Sequence, residues 1–172
     1  MRKLCLALSF FLCPMAQAQE AVTIPDMMDG RWVALHHSSD GGAHTDACIL
    51  NASGLKIQFR ADMHGMEIRT SPQDAAFSKG QSVSTTLSAG SFSRTLKMTA
   101  LDGTTLSAPL TPTAMSAVLD AFTRTPSATL ETAGSPDEAV SLAGSPRPVD
   151  VFKTCVTARK FAVVGSPSNK TH

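Results

Sequence analysis

Two cysteines constrain this chain more than any other feature, because they lie near opposite ends of what remains once an export signal is removed. Cys48 follows the first polar loop. Cys155 lies in the stretch Val140-Ser-Leu-Ala-Gly-Ser-Pro-Arg-Pro-Val-Asp-Val-Phe-Lys-Thr-Cys155-Val156. That stretch reads as a short strand, a tight turn at Gly144 and a helix. Ser145 suits the N-cap, its hydroxyl accepting a free amide hydrogen of the first turn, and Pro146 suits the position after it. Val149, Phe152 and Val156 recur at helical spacing, with Cys155 beside them on the same stripe. An even pair of cysteines in an exported chain predicts one disulfide, Cys48–Cys155. A bridge that closes a loop of about 100 residues is worth about 4.7 kcal/mol in the chain-entropy account. The alternative, free thiols or a catalytic pair, lacks the Cys-x-x-Cys spacing.

The export signal is read from the first 18 residues. Met1-Arg-Lys is a basic start, Leu4 to Leu12 an apolar run, and Ala16-Gln17-Ala18 a small-x-small cleavage site. The apolar run falls short of the about 20 residues that a spanning helix needs. Cys13 follows Leu12, where a lipoprotein signal requires a small residue. Cleavage after Ala18 also removes Cys5 and Cys13, which leaves only the pair above. The expected division is a signal over 1–18, a leader over 19–29, one β-rich domain over 30–165 and a frayed tail over 166–172. Arg2 and Lys3 leave with the signal, so 15 basic and 14 acidic side chains become a net of −1 (15 − 2 − 14). That is no electrostatic footprint for nucleic acid, and no basic amphipathic helix is present to lie on a membrane.

Short alternating segments dominate the middle of the chain. Arg31 to His36 reads as the first strand, with Trp32, the chain's one tryptophan, as a core anchor. Cys48-Ile-Leu, Leu55 to Arg60, His64 to Thr70, Val83 to Leu87, Arg94 to Ala100 and Thr104 to Leu110 follow. Asp102-Gly103 is a strong hairpin signal between the last two. Thr111-Pro112 opens a helix carrying Met115, Val118, Leu119 and Phe122 on one face, closed by Pro126. Ala128 to Thr132 and Glu138 to Leu142 read as further strands, and Phe161 to Val164 as a terminal one. The expected fold is mainly β, of α+β type: an antiparallel sandwich or partly open barrel with two short helices and one disulfide.

Candidate chemistry concentrates between His36 and Asp46. His36, His37, Asp40, His44 and Asp46 fall within eleven residues, and imidazole with carboxylate is a ligand set for zinc or copper. Adjacent His36 and His37, however, point to opposite faces if the strand runs through them, and Gly41-Gly42 leaves the loop free to move. Asp40 or Asp46 with His44 could also orient a nucleophile. No Gly-x-Ser-x-Gly elbow, His-Glu-x-x-His, phosphate-binding loop or dinucleotide fingerprint is present. No cofactor is expected, and a hydrolase would need a site assembled from distant residues.

Taken together, Trp32, Cys48, Phe77, Gly80, Leu142, Gly144, Ser145, Phe152 and Cys155 carry a resemblance. The order of a tryptophan strand, a cysteine strand, a β meander, a helix and a Leu-Ala-Gly-Ser turn into Phe-x-x-Cys resembles small exported bacterial proteins of the invasion-associated locus B type. The resemblance implies a β-rich periplasmic protein without established chemistry, linked in some bacteria to host-cell association. It supplies no catalytic residues. The function expected is that of a non-catalytic periplasmic or secreted domain that binds a protein or a cell-envelope component. Metal binding by the histidine loop is the alternative.

Overall fold

A computed structural model describes residues 20–52 and 57–161. The signal, Leu55, Lys56, the run Ala162 to Val164 and the tail lie outside the described residues. Among the described residues are ten strands and two helices. The strands are β1 (Val22–Asp29), β2 (Trp32–Ser38), β3 (Ala47–Ala52), β4 (Ile57–Asp62), β5 (Gly65–Thr70), β6 (Ser82–Ala89), β7 (Phe92–Ala100), β8 (Leu106–Leu110), β9 (Ser127–Thr132) and β10 (Glu138–Ser141). The helices are α1 (Pro112–Arg124) and α2 (Pro146–Ala158). One antiparallel sheet runs β1-β2-β3-β4-β5-β8-β7-β6-β9-β10 and curls into a half-barrel. Of the two expected arrangements, a sandwich or a partly open barrel with two short helices, the structure is the second.

Alternation decides which face is inside. Trp32, Ala34, Leu50, Phe59, Ile68 and Ala108 share one face by register and are all buried. α1 adds Met115, Val118, Leu119 and Phe122 to the same core. The Phe122 ring meets Trp32 and Phe59 edge-on, with centroids 5.8 Å and 5.6 Å apart. Edge-on contact suits the ring quadrupoles and adds to the area buried. Curling brings distant strands together: the Trp32 indole N–H donates to the Ser141 carbonyl of β10 at 3.3 Å.

α2 closes the curl. It follows β10 in sequence but packs against β1, β2 and β3, where the Cys48–Cys155 disulfide holds it with a Cα–Cα distance of 6.0 Å. The turn into the helix is built on close backbone approach. Gly144 has φ +83°, and a Cβ there would sit 2.6 Å from the Asp29 carbonyl oxygen at the end of β1. No L side chain fits that position.

Two readings from the sequence need correction. Val22–Asp29 is not a leader but the edge strand β1, paired along its length with β2. A bulge between Pro25 and Met27 moves the inward positions from Val22 and Ile24 to Met27 and Asp29. The bulge breaks the period of two that would have marked the strand. Ser145, in turn, does not cap α2 with its side chain. Its backbone is already helical (φ −67°, ψ −32°), and its buried hydroxyl donates to the Phe122 carbonyl at 2.9 Å. That carbonyl belongs to the last turn of α1, where no intrahelical donor remains. Thr111 does cap α1, accepting from the Ala114 N–H at 3.2 Å.

Candidate functional site: the histidine end and the outer face of the sheet

The expected ligand set is divided by the strands that carry it. β2 runs through both His36 and His37, so the two imidazoles lie on opposite faces. His36 is on the inner face opposite Cys48, and its Nδ1 lies 2.8 Å and 3.0 Å from the two carboxylate oxygens of Asp26. His37 is on the outer face, with Nδ1 3.0 Å from Thr23 Oγ1. Asp26, on the strand read as a leader, is the partner that sequence spacing missed. The bulge that hides β1 also hides it.

His44, Asp40 and Asp46 belong to the connection between β2 and β3. Asp40 accepts from Ser38 Oγ at 2.7 Å and from the His44 N–H at 2.8 Å. His44 Nδ1 lies 2.5 Å from its other oxygen. Gly41 and Gly42 take φ +70° and +100°, a left-handed path that lets the loop fold round the carboxylate. The Ser38 hydroxyl, then His44, hold the Asp40 carboxyl well below the usual carboxylate range. Asp46 is likewise held low by its hydrogen bonds from Ser39, whose N–H donates at 2.5 Å. Among the described residues no three His, Cys, Asp or Glu side chains are grouped to hold a metal ion.

The loop does bring together a serine, an aspartate and a histidine, but in the wrong order for nucleophilic catalysis. In a working triad the imidazole stands between hydroxyl and carboxylate and takes the proton. Here the carboxylate of Asp40 stands in the middle, and the Ser38 hydroxyl donates to it. Ser38 is thus a structural donor. A second hydroxyl–carboxylate contact, Ser107 Oγ to Glu67 Oε2 at 2.6 Å, lies on the outer face beside the Arg69–Glu67 ion pair at 2.5 Å. Ser107 is 8% exposed, which suits a structural donor as well.

The outer face of the sheet changes character from one end to the other. Over β1 to β3, one register row holds Pro25, Leu35 and Ile49, and the next holds Met28, Val33 and Asn51. Met28 is 67% exposed. Over β4 and β5 the rows continue as Arg60 with Glu67, then Gln58 with Arg69. Arg60 pairs with Asp62 at 3.0 Å. Burial alone would raise the Asp62 pKa, but the His64 N–H and the Arg60 guanidinium outweigh it and hold the carboxyl low. Over β6, β7 and β9 the same face is mostly hydroxyls, with Lys97 and Glu131 among them: Thr86 bonds Thr95 at 2.9 Å and Ser88 bonds Ser93 at 3.0 Å. α2 lies on the inner side of β1 to β3, since it is bonded to the inward Cys48. No helix among the described residues therefore backs the apolar outer rows.

No family model, curated protein or solved structure matches this chain. No helix among the described residues is long and apolar enough to cross a membrane.

Proposed function

We propose that the protein is a non-catalytic exported domain that binds another protein or a component of the cell envelope through the outer face of β1 to β3. The observation that carries this reading is the exposed Met28 with the half-buried Val33 beside it and Leu35 in the neighbouring row, on a sheet face over which no helix among the described residues lies. Apolar side chains grouped on a face of a folded domain mark a surface made to be covered. The face is favoured over the neighbouring strand edge. β1 has an edge that pairs with no strand among the described residues, but its Pro25 and bulge are devices that block strand addition. Export is supported by the disulfide, which persists in oxidising compartments. The resemblance to the invasion-associated locus B type points the same way, towards a periplasmic domain that acts by contact.

The test is a comparison of capture from periplasmic extract at physiological salt by wild type and by Met28→Asp with Leu35→Asp. The expected result is a partner retained by the wild type and lost by the double variant, with melting temperatures within about 4 °C of each other. Turnover by the pure protein, with no partner added, overturns the reading. Equal capture by both proteins removes this face from it.

A further inference from the structure

We propose that the Cys48–Cys155 bridge is a site of thiol–disulfide exchange, opened at Cys155 by a dithiol reductant while His36, held by Asp26, delivers the proton that frees Cys48. The site lies on the inner side of the sheet and is independent of the outer surface proposed above. Its two sulfurs are not equally open. Cys48 is 0% exposed, whereas Cys155 is half-buried on α2, next to the exposed Thr154. Exchange runs through thiolate attack on the sulfur that can be reached, and here that is Cys155.

Attack at Cys155 makes Cys48 the leaving group, and its burial sets the requirement. A charge left in an apolar site with no proton or partner is strongly unfavourable. His36 stands where that proton is needed. It is the direct cross-strand partner of Cys48 on the inner face, and side chains so paired have Cβ atoms about 4.5–5.5 Å apart. Nδ1 of His36 faces both carboxylate oxygens of Asp26, at 2.8 Å and 3.0 Å, so Nε2 is the nitrogen left to serve the sulfur. Sulfur, imidazole and carboxylate then follow in the order that moves a proton, with the imidazole in the middle. The Asp40 loop lacks that order. His36 and Asp26 side chains are 22% and 29% exposed, so the pair reloads its proton from water. Of the other charged groups on the packed elements, Asp29 lies at the Trp32 end of β1 and Arg159 one turn past Cys155. Lys153 is held by Asp120 of α1 at 2.5 Å, and Arg147 and Asp150 lie exposed in the first half of α2.

The electrons and protons balance in two steps. A thiolate of the dithiol bonds to Cys155 Sγ, the bond between the two Sγ atoms breaks, and its electron pair goes to Cys48 Sγ with the proton from His36. The second thiol of the reductant, having lost its proton to solvent, attacks the mixed disulfide. Cys155 leaves, takes a proton from solvent, and the reductant departs as a cyclic disulfide. The bridge is reduced, the dithiol is oxidised, and α2 loses its covalent hold on β3.

The experiment measures reduction of the oxidised mature protein by dithiothreitol under native conditions, followed by alkylation in denaturant and mass spectrometry. A positioned proton donor contributes up to about 10²–10⁴-fold, so His36→Gln is expected to slow the reaction by about tenfold or more. Asp26→Asn, which keeps the imidazole, is expected to slow it less. The wild-type rate per attacking thiolate should fall as pH rises and His36 loses its proton; the His36→Gln rate should not. Mere loosening of the fold exposes the bridge and speeds exchange, so slowing separates proton delivery from a structural role. Glutathione, a monothiol, should be trapped on Cys155, a result that needs no variant. Rates for His36→Gln equal to or above wild type overturn the inference. So does glutathione trapped on Cys48, or a wild-type rate that does not rise with dithiothreitol because the fold must open first.

Discussion

The two ends of the sheet are finished in different ways. At the β1–β3 end, the inner face is closed by α2 and bonded to it by Cys48–Cys155, while the outer face carries Met28, Val33 and Leu35. At the β6–β7–β9 end, hydroxyls pair across strands on the outer face, and Thr85 meets Thr132 inside at 3.2 Å. A hydroxyl face is complete in water, because each Oγ finds a neighbour or solvent. An apolar face is not, because its contact with water is unfavourable by roughly 25 cal/mol per Å². On the reading proposed above, binding belongs to the first end and architecture to the second. It also explains why α2, which grows out of β10, crosses to β1 through β3: the chain closes its own curl with the helix and then locks the closure.

Removing the lock has the largest expected effect. Cys48→Ser deletes a bridge with a sequence separation of 107 and should cost about 4 kcal/mol. For a domain of this size that lowers the melting temperature by about 8–16 °C. Hydrogen exchange sharpens the comparison, since amides of β2 and β3 should lose protection before those of β6 and β7. Simultaneous loss at both ends would erase the distinction drawn between them. Gly144→Ala acts on the same closure without touching the sulfurs. Its methyl would press on the Asp29 carbonyl at a left-handed position, and strain of this kind costs about 2 kcal/mol. An unchanged thermal midpoint would show that the turn into α2 is not held by that approach.

How much of this was legible follows the same division. The disulfide could be inferred because export, count and position all pointed to one pairing. α1 was legible from its Thr111 cap and apolar stripe. The meander was legible from strict alternation, as in Ile57, Phe59 and Ala61 against Gln58, Arg60 and Asp62. β1 was not, since its bulge interrupts the only signal that a half-exposed strand has. Strand order was not legible either. Asp102 does nucleate its turn, accepting the N–H groups of Thr104 at 2.8 Å and Thr105 at 2.7 Å. But β8 then pairs with β7 over only Thr99↔Ser107 and Ala100↔Leu106, and lies along β5 for its whole length. Local turn chemistry decides that the chain reverses; packing of the inward rows decides beside whom it settles.

The two serine and threonine positions at the helix starts make a smaller and cleaner contrast. Thr111→Ala removes a side-chain cap, worth about 1 kcal/mol. Ser145→Ala removes no cap. It leaves the buried Phe122 carbonyl without its donor, a loss of about 1–3 kcal/mol. The two are told apart by Gly substitutions, because Gly replaces a lost N-cap at a cost of only a few tenths of a kcal/mol. Thr111→Gly should therefore recover most of the loss, and Ser145→Gly none. Recovery at Ser145 would mean that its hydroxyl serves α2 after all, and that the last turn of α1 is satisfied in some other way.

The smallest effect is expected at the β2–β3 loop, where Asp40 is held low by Ser38 first and by His44 second. A carboxyl whose folded pKa lies below its ordinary 3.8 contributes stability that is present above that value. The contribution is lost as pH falls towards the folded pKa. Acid should thus open the loop only below the range in which exposed carboxylates protonate, and the loss should be slight because Asp40 and His44 lie near solvent, where such pairs are weak. Carbon NMR of the Asp40 carboxyl measures this directly. Ser38→Ala should move its titration midpoint up towards 3.8 by more than His44→Ala does, because the hydroxyl is the larger cause and remains a donor whatever the charge on the imidazole. The opposite ranking would make the imidazolium the anchor of the loop.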